Sequence, residues 1–136
     1  MLQLEFHPVW ENRLTEEQKQ KFKKLASALP ANEGLDLILF RGKYKKNGGA
    51  VATVLLVNGS KKSMDLRHVT VEMTDDKENF ISREDFELNL TIHPHTALPW
   101  SFVFAKESVN QRHSDPKNWM LKLRDKKGAV QKVSKN

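Results

Sequence analysis

Cysteine is missing from all 136 residues, which excludes disulfides, thiolate nucleophiles and Cys-ligated zinc or iron–sulfur centres. No run approaches the ~20 consecutive apolar residues that a membrane-spanning helix requires. The opening Met1-Leu2-Gln3-Leu4-Glu5 lacks the basic region and long apolar stretch of a signal peptide. The chain as given therefore reads as cytoplasmic, without membrane insertion. Glycine and proline are scarce, at 6 and 5 residues, and neither an internal repeat nor a low-complexity linker is present. There is no G-x-S-x-G elbow. Gly48-Gly49 opens no helix and so makes no phosphate cradle. These absences predict no catalytic residues and no cofactor: the chain does not read as an enzyme.

What is present suits one soluble domain. The hydrophobic fraction is 38% and the charged fraction 29%. A chain of this length buries about two thirds of the surface its unfolded form exposes, enough for a core without staples. The net charge of +6 is concentrated at the C-terminus, since residues 122–136 carry +5 and the remaining 121 carry +1. Lys126, Lys127, Lys132 and Lys135 belong to a basic stretch, 125–136, that reads as a solvated, disordered tail. Its functional alternative is weak contact with a polyanion, nucleic acid or cell-wall polymer. With no aromatic residue among those lysines there is no stacking platform for bases, which argues against nucleic acid.

Patterning divides the chain. Leu2, Leu4 and Phe6 alternate with Gln3, Glu5 and His7 as a short strand ended by Pro8. Thr15 and Gln18 form a capping box, and Phe22, Leu25, Ala26 and Leu29 form one apolar stripe. These features predict a helix over 16–29, with Lys19, Gln20, Lys23 and Lys24 facing water. Strand patterns follow over 35–44 and 50–57, joined by the hairpin signal Asn47-Gly48-Gly49. Further patterns cover 66–73, a short piece at Phe80-Ile81, 86–92, 100–104 and 119–123. The near-continuous apolar run at 50–57 reads as a central strand. The loop 106–118 has room for a helical turn. The expected fold is mainly β (α+β): an immunoglobulin-like antiparallel β-sandwich of about seven strands over 35–123, with one N-terminal amphipathic helix, in a single domain 1–124.

Few constellations could carry chemistry. His93 and His95 flank Pro94, and in an extended segment both rings would project to one side, as a zinc site needs. A further ligand from His7 or His113 would be required, and nothing in the spacing supplies one, so no metal is expected. Asp75, Asp76 and Glu78 share a turn, as do Glu84 and Asp85. Carboxylates in turns between strands are ordinarily solvated. Trp100, Phe102, Phe104 and Trp119 hold core positions. Trp10 is the tryptophan least constrained by pattern, and it is the aromatic candidate for a binding role.

Three stretches carry a family resemblance. They are Leu2-Gln3-Leu4-Glu5-Phe6-His7-Pro8-Val9-Trp10, Ala52-Thr53-Val54-Leu55-Leu56-Val57-Asn58-Gly59, and Leu90-Thr91-Ile92-His93-Pro94-His95-Thr96-Ala97-Leu98-Pro99-Trp100-Ser101-Phe102-Val103-Phe104. Together they resemble the SLAP domain of Bacillus-type Gram-positive bacteria, named for the accessory Sec system S-layer assembly protein. The resemblance runs from about Leu2 to Leu123. It implies a non-enzymatic protein-binding or assembly module whose partner is a Sec-pathway or surface-layer component, with association at the cell envelope; it brings no catalytic residues. Strand addition at a sheet edge, or use of a loop-end surface, is the expected mode of holding an extended polypeptide, with residues 66–73 as one candidate edge. The alternatives are polyanion binding through the tail and, third, a metal-dependent enzyme using His93 and His95.

Overall fold

Residues 2–29, 34–110, 114–125 and 132–134 are described by a computed structural model, with backbone alone at 124–125 and 132–134. Along the chain come β1 (Gln3–Leu4), α1 (Pro8–Glu11), α2 (Glu16–Ser27), β2 (Leu35–Tyr44), β3 (Ala50–Asn58), β4 (Met64–Thr74), β5 (Phe80–Ile92), β6 (Thr96–Phe104), β7 (Met120–Asp125) and β8 (Lys132–Ser134). Two short 3-10 turns, Lys106–Ser108 and Pro116–Asn118, occupy the loop between β6 and β7.

The strands pair into two sheets, ordered β1-β6-β3-β2-β8 and β5-β4-β7. Consecutive hairpins β2–β3 and β4–β5 sit in opposite sheets. The chain then returns to pair β6 with β3, and crosses again to pair β7 with β4. This Greek-key path gives the expected immunoglobulin-like sandwich. Inward-facing side chains of both sheets fill the space between them, among them Leu37, Val54, Leu56, Phe102, Phe104, Val71, Met73, Ile81, Trp119 and Leu121. The β2–β3 hairpin needs its glycines for different reasons. Gly48 takes φ 95°, whereas a Cβ on Gly49 would lie 2.6 Å from the Phe104 carbonyl oxygen.

The helix forms as its sequence dictates. Gln18 N donates to Thr15 Oγ1 at 3.1 Å, and Thr15 N donates to Gln18 Oε1 at 2.9 Å, closing the capping box. Phe22 and Ala26 are buried against the outer face of the larger sheet, where they meet Ile38, Leu55, Val57 and Ala97 in a second apolar cluster. The helix ends at Ser27, with Ala28 as its cap, two residues before the expected Leu29.

Several expectations need correction. Pro8 opens a helix rather than merely closing a strand: it begins α1, the four-residue helix carrying Trp10. Lys19 does not face water. Its side chain lies 5.9 Å from the Phe6 ring centroid and pairs with Glu11 at 3.3 Å, tying the two helices together. The sandwich is not wholly antiparallel, because β1 runs parallel to β6 and β8 parallel to β2. The pieces read separately at Phe80-Ile81 and 86–92 are one strand of 13 residues, with ladder irregularities absorbing the breaks in pattern. Residues 66–73 cannot be a free edge, since β4 is flanked on both sides by β5 and β7. The boundary at 124–125 also moves: β7 runs to Asp125, and within the supposed tail Lys132–Ser134 form β8, whose backbone finds a ladder along β2. Lys126, Lys127 and Lys135 lie outside the described residues.

Candidate functional site

A single irregularity in β2 shapes the surface beside the helix. Leu35, Leu37 and Leu39 point into the sandwich, while Ile38 and Phe40 point outward to α2. The pairing then slips, with Leu39 opposite Val54 but Arg41 opposite Thr53, so Phe40 is an extra residue. Such a bulge leaves two successive side chains on one face. Phe40 and Arg41 both face outward, and beyond them Gly42 and Tyr44 resume the inward direction against Trp119. The outer sheet face thereby gains an aromatic ring and, directly beside it, a guanidinium.

Phe40 stacks on Phe22 at 4.1 Å between centroids, and Trp10 meets Phe22 edge-on at 6.2 Å. These rings, with Leu14, floor a groove of about 450 Å³ between the helices and the sheet. Gln18, Lys21, Arg41 and Thr53 form its polar rim. Concave, mostly apolar surfaces with a few polar groups at the margin are the usual form of binding sites. From the rim the groove opens onto a part of the sheet that α2 does not cover, where Arg41, Lys43, Val51 and Thr53 line a second, shallower hollow. Thr53 and Ser101 are hydrogen-bonded to one another at 2.7 Å on this bare face, and Val103 stands 48% exposed. Trp10 is half-buried and lines this groove. The groove itself escapes the sequence reading, because its second aromatic wall depends on the bulge.

The other candidates are not brought together. His93-Pro94-His95 is a turn, with His95 at φ 51°, and not the extended segment that would aim both rings one way. His93 Nδ1 lies 2.9 Å from Glu5 Oε2, while His7 Nδ1 accepts from Val9 N at 3.2 Å as the cap of α1. Among the described residues no three His, Asp or Glu side chains are grouped to hold a metal; His113 lies outside them. The Asp75 carboxylate accepts from the backbone N–H groups of Lys77 and Asn79, from Asn79 Nδ2 and from Ser114 Oγ. The Asn79 side-chain bond, with these others, holds it below its ordinary pKa against an opposing desolvation. It closes the β4–β5 turn. Burial pushes the Tyr44 hydroxyl upward, opposed by its contacts with Trp119 and Ser114.

The three motif stretches meet at one end of the sandwich. Asn58 is fully buried; its Nδ2 donates to the carbonyls of Lys62 (2.8 Å), Ile92 (2.9 Å) and His93 (3.2 Å). Its Oδ1 accepts from Ser60 N at 2.9 Å and Ser60 Oγ at 2.7 Å. Thr96, the ladder partner of Asn58, bonds back to Pro94 O at 3.0 Å and pairs on its other side with Gln3 of β1. A family model of the SLAP domain matches residues 4–125. The chain belongs to the SLAP domain family. No curated protein matches it. In this SLAP domain the motif residues Asn58, Pro94 and Thr96 build a clasp between strands, whereas Trp10 of the opening motif leads to the groove. Among the described residues no helix is long and apolar enough to cross a membrane.

Proposed function

We propose that this SLAP domain is a non-enzymatic protein-binding module that seats a segment of a partner protein in the groove between its helices and its larger sheet. The observation that carries the reading is the aromatic floor, Trp10 and Phe40 both packed on Phe22, left open beside an uncovered sheet face. Aromatic and arginine side chains at the centre of a concavity are the residues that dominate protein–protein affinity. Family membership supports a partner among surface-layer or Sec-pathway proteins, whose export or assembly the module would assist.

The test is titration of the intact chain with purified surface-layer subunit and Sec-pathway components of its host. Saturable binding to one of them is expected, weakened tenfold or more by Trp10→Ala and by Arg41→Glu and unchanged by Thr70→Ala on the opposite sheet. Matched far-UV circular dichroism establishes that the variants fold. Binding indifferent to both groove substitutions, or none at all, would overturn the reading.

A further inference from the structure

The charge around the groove narrows the kind of segment it would hold. Its rim and the adjoining bare sheet carry Lys21, Arg41 and Lys43, and no carboxylate lines either hollow. The Arg41 side chain makes no ion pair or hydrogen bond among the described residues, so an incoming carboxylate need displace no existing partner there. Lys21 has only Glu17, at 3.9 Å on the same exposed helix face, a pair that solvent screens heavily. The opposite sheet is net acidic by sequence: β4, β5 and β7 carry Asp65, Glu72, Glu84, Asp85, Glu87 and Asp125 against Arg67, Arg83, Lys122 and Arg124. The sandwich is therefore electrically two-sided, and the positive side is the one with the open aromatic floor. A field of this kind steers an acidic segment toward the groove and turns a basic one away. The planar guanidinium of Arg41 also suits paired bonds to a carboxylate.

We infer that the groove binds an acidic peptide segment bearing an aromatic or branched aliphatic anchor, with the anchor against Trp10, Phe22 and Phe40 and the carboxylates toward Arg41 and Lys43. This rests on the docking reading above and adds the chemistry of the ligand. β3 is paired on both sides here by β2 and β6, whereas β2 has β3 along its length and β8 only at Asp36, Leu37 and Ile38. The proposed contact lies on the sheet face and is made by the side chains there.

A phage-displayed random dodecapeptide library selected on the intact chain tests this without knowledge of the natural partner. Enriched peptides should be net negative with at least one Phe, Trp, Leu or Ile. Synthetic copies should lose tenfold or more in affinity on Arg41→Glu, and also when their Asp and Glu are changed to Lys. The Lys-bearing copies should in turn bind the Arg41→Glu/Lys43→Glu variant better than the wild type. Neutral or basic peptides that are lost with Trp10→Ala would overturn the acidic assignment while leaving the groove as a docking site. No enrichment, or peptides indifferent to Trp10→Ala and Arg41→Glu alike, would overturn both.

Discussion

Replacing Asn58 by alanine tests whether the central family motif serves the fold. The side chain is fully buried and has five hydrogen-bond partners: the two hydrogens of Nδ2 serve three carbonyls, one hydrogen being shared, and Oδ1 accepts twice. The Lys62 and His93 carbonyls belong to exposed residues and can recruit water after truncation. The Ile92 carbonyl is in a buried contact and cannot do so as readily. A buried polar group deprived of its partner costs about 1–3 kcal/mol, and each remaining bond contributes about 0.5–1.5 kcal/mol net. Some of these bonds are regained with solvent, so the expected loss for Asn58→Ala is about 3–4 kcal/mol, or a fall in Tm of about 10 °C for a domain of this size. Asn58→Asp should cost more, because an oxygen replaces the nitrogen that faces three carbonyl oxygens. Urea unfolding followed by tryptophan fluorescence and far-UV circular dichroism measures both, with Ser60→Ala as the milder control on the acceptor side. If Asn58→Ala loses less than about 1 kcal/mol, the clasp is not what holds the β3–β4 connection to the end of β5, and another reason for the motif is required.

Gly42→Ala should destabilise by about 2–3 kcal/mol, since the added Cβ would lie 2.5 Å from Cε3 of the fully buried Trp119; thermal melts would show it, and an unchanged Tm would contradict the packing. Phe22→Ala removes the ring on which Trp10, Phe6 and Phe40 all pack, and should cost about 3–5 kcal/mol in urea unfolding. Asp75 has its pKa lowered in the folded state, so its contribution is complete above the unfolded-state value, about 4, and is lost as pH falls through the folded value. Asp75→Asn should therefore lose stability at pH 7 yet fall less steeply than the wild type between pH 4 and pH 2, as read from urea midpoints across that range; parallel curves would remove Asp75 from the acid limb.

Much of the sandwich was legible because period-2 alternation reports directly which face of a strand is buried. The strands at 35–44, 50–57 and 119–123 correspond closely to β2, β3 and β7, and the capping box at Thr15 marks the start of α2. Less visible were features that depend on distant backbone. The alternation over residues 2–6 marks β1 but not its parallel pairing with β6, and Lys132–Ser134 becomes a strand through parallel pairing with β2, since a parallel neighbour far along the chain leaves no local turn signal. Trp100, assigned to the core by its parity, is half-buried and lies edge-on to His7 at 5.5 Å, because β1 covers β6 only at Thr96 and Ala97.

The bulge in β2 is the most consequential of the hidden features, yet it leaves a trace. Inward positions are odd-numbered through Leu39 and even-numbered from Gly42, so a strand read as one uninterrupted alternation changes phase within three residues. The change has a physical reason in Trp119, whose ring occupies the space over Gly42 and leaves no room for a side chain there. An uninterrupted strand would instead turn Arg41 into the apolar interior, where a buried cation without a partner is far more costly than a bulge. The extra residue at Phe40 resolves that conflict by keeping Arg41 outside and, in the same step, sets an aromatic ring beside it next to the helix. The packing demand of one buried tryptophan thus accounts for the pairing of an aromatic floor with a cationic rim, the combination that distinguishes this face of the sandwich from its acidic opposite.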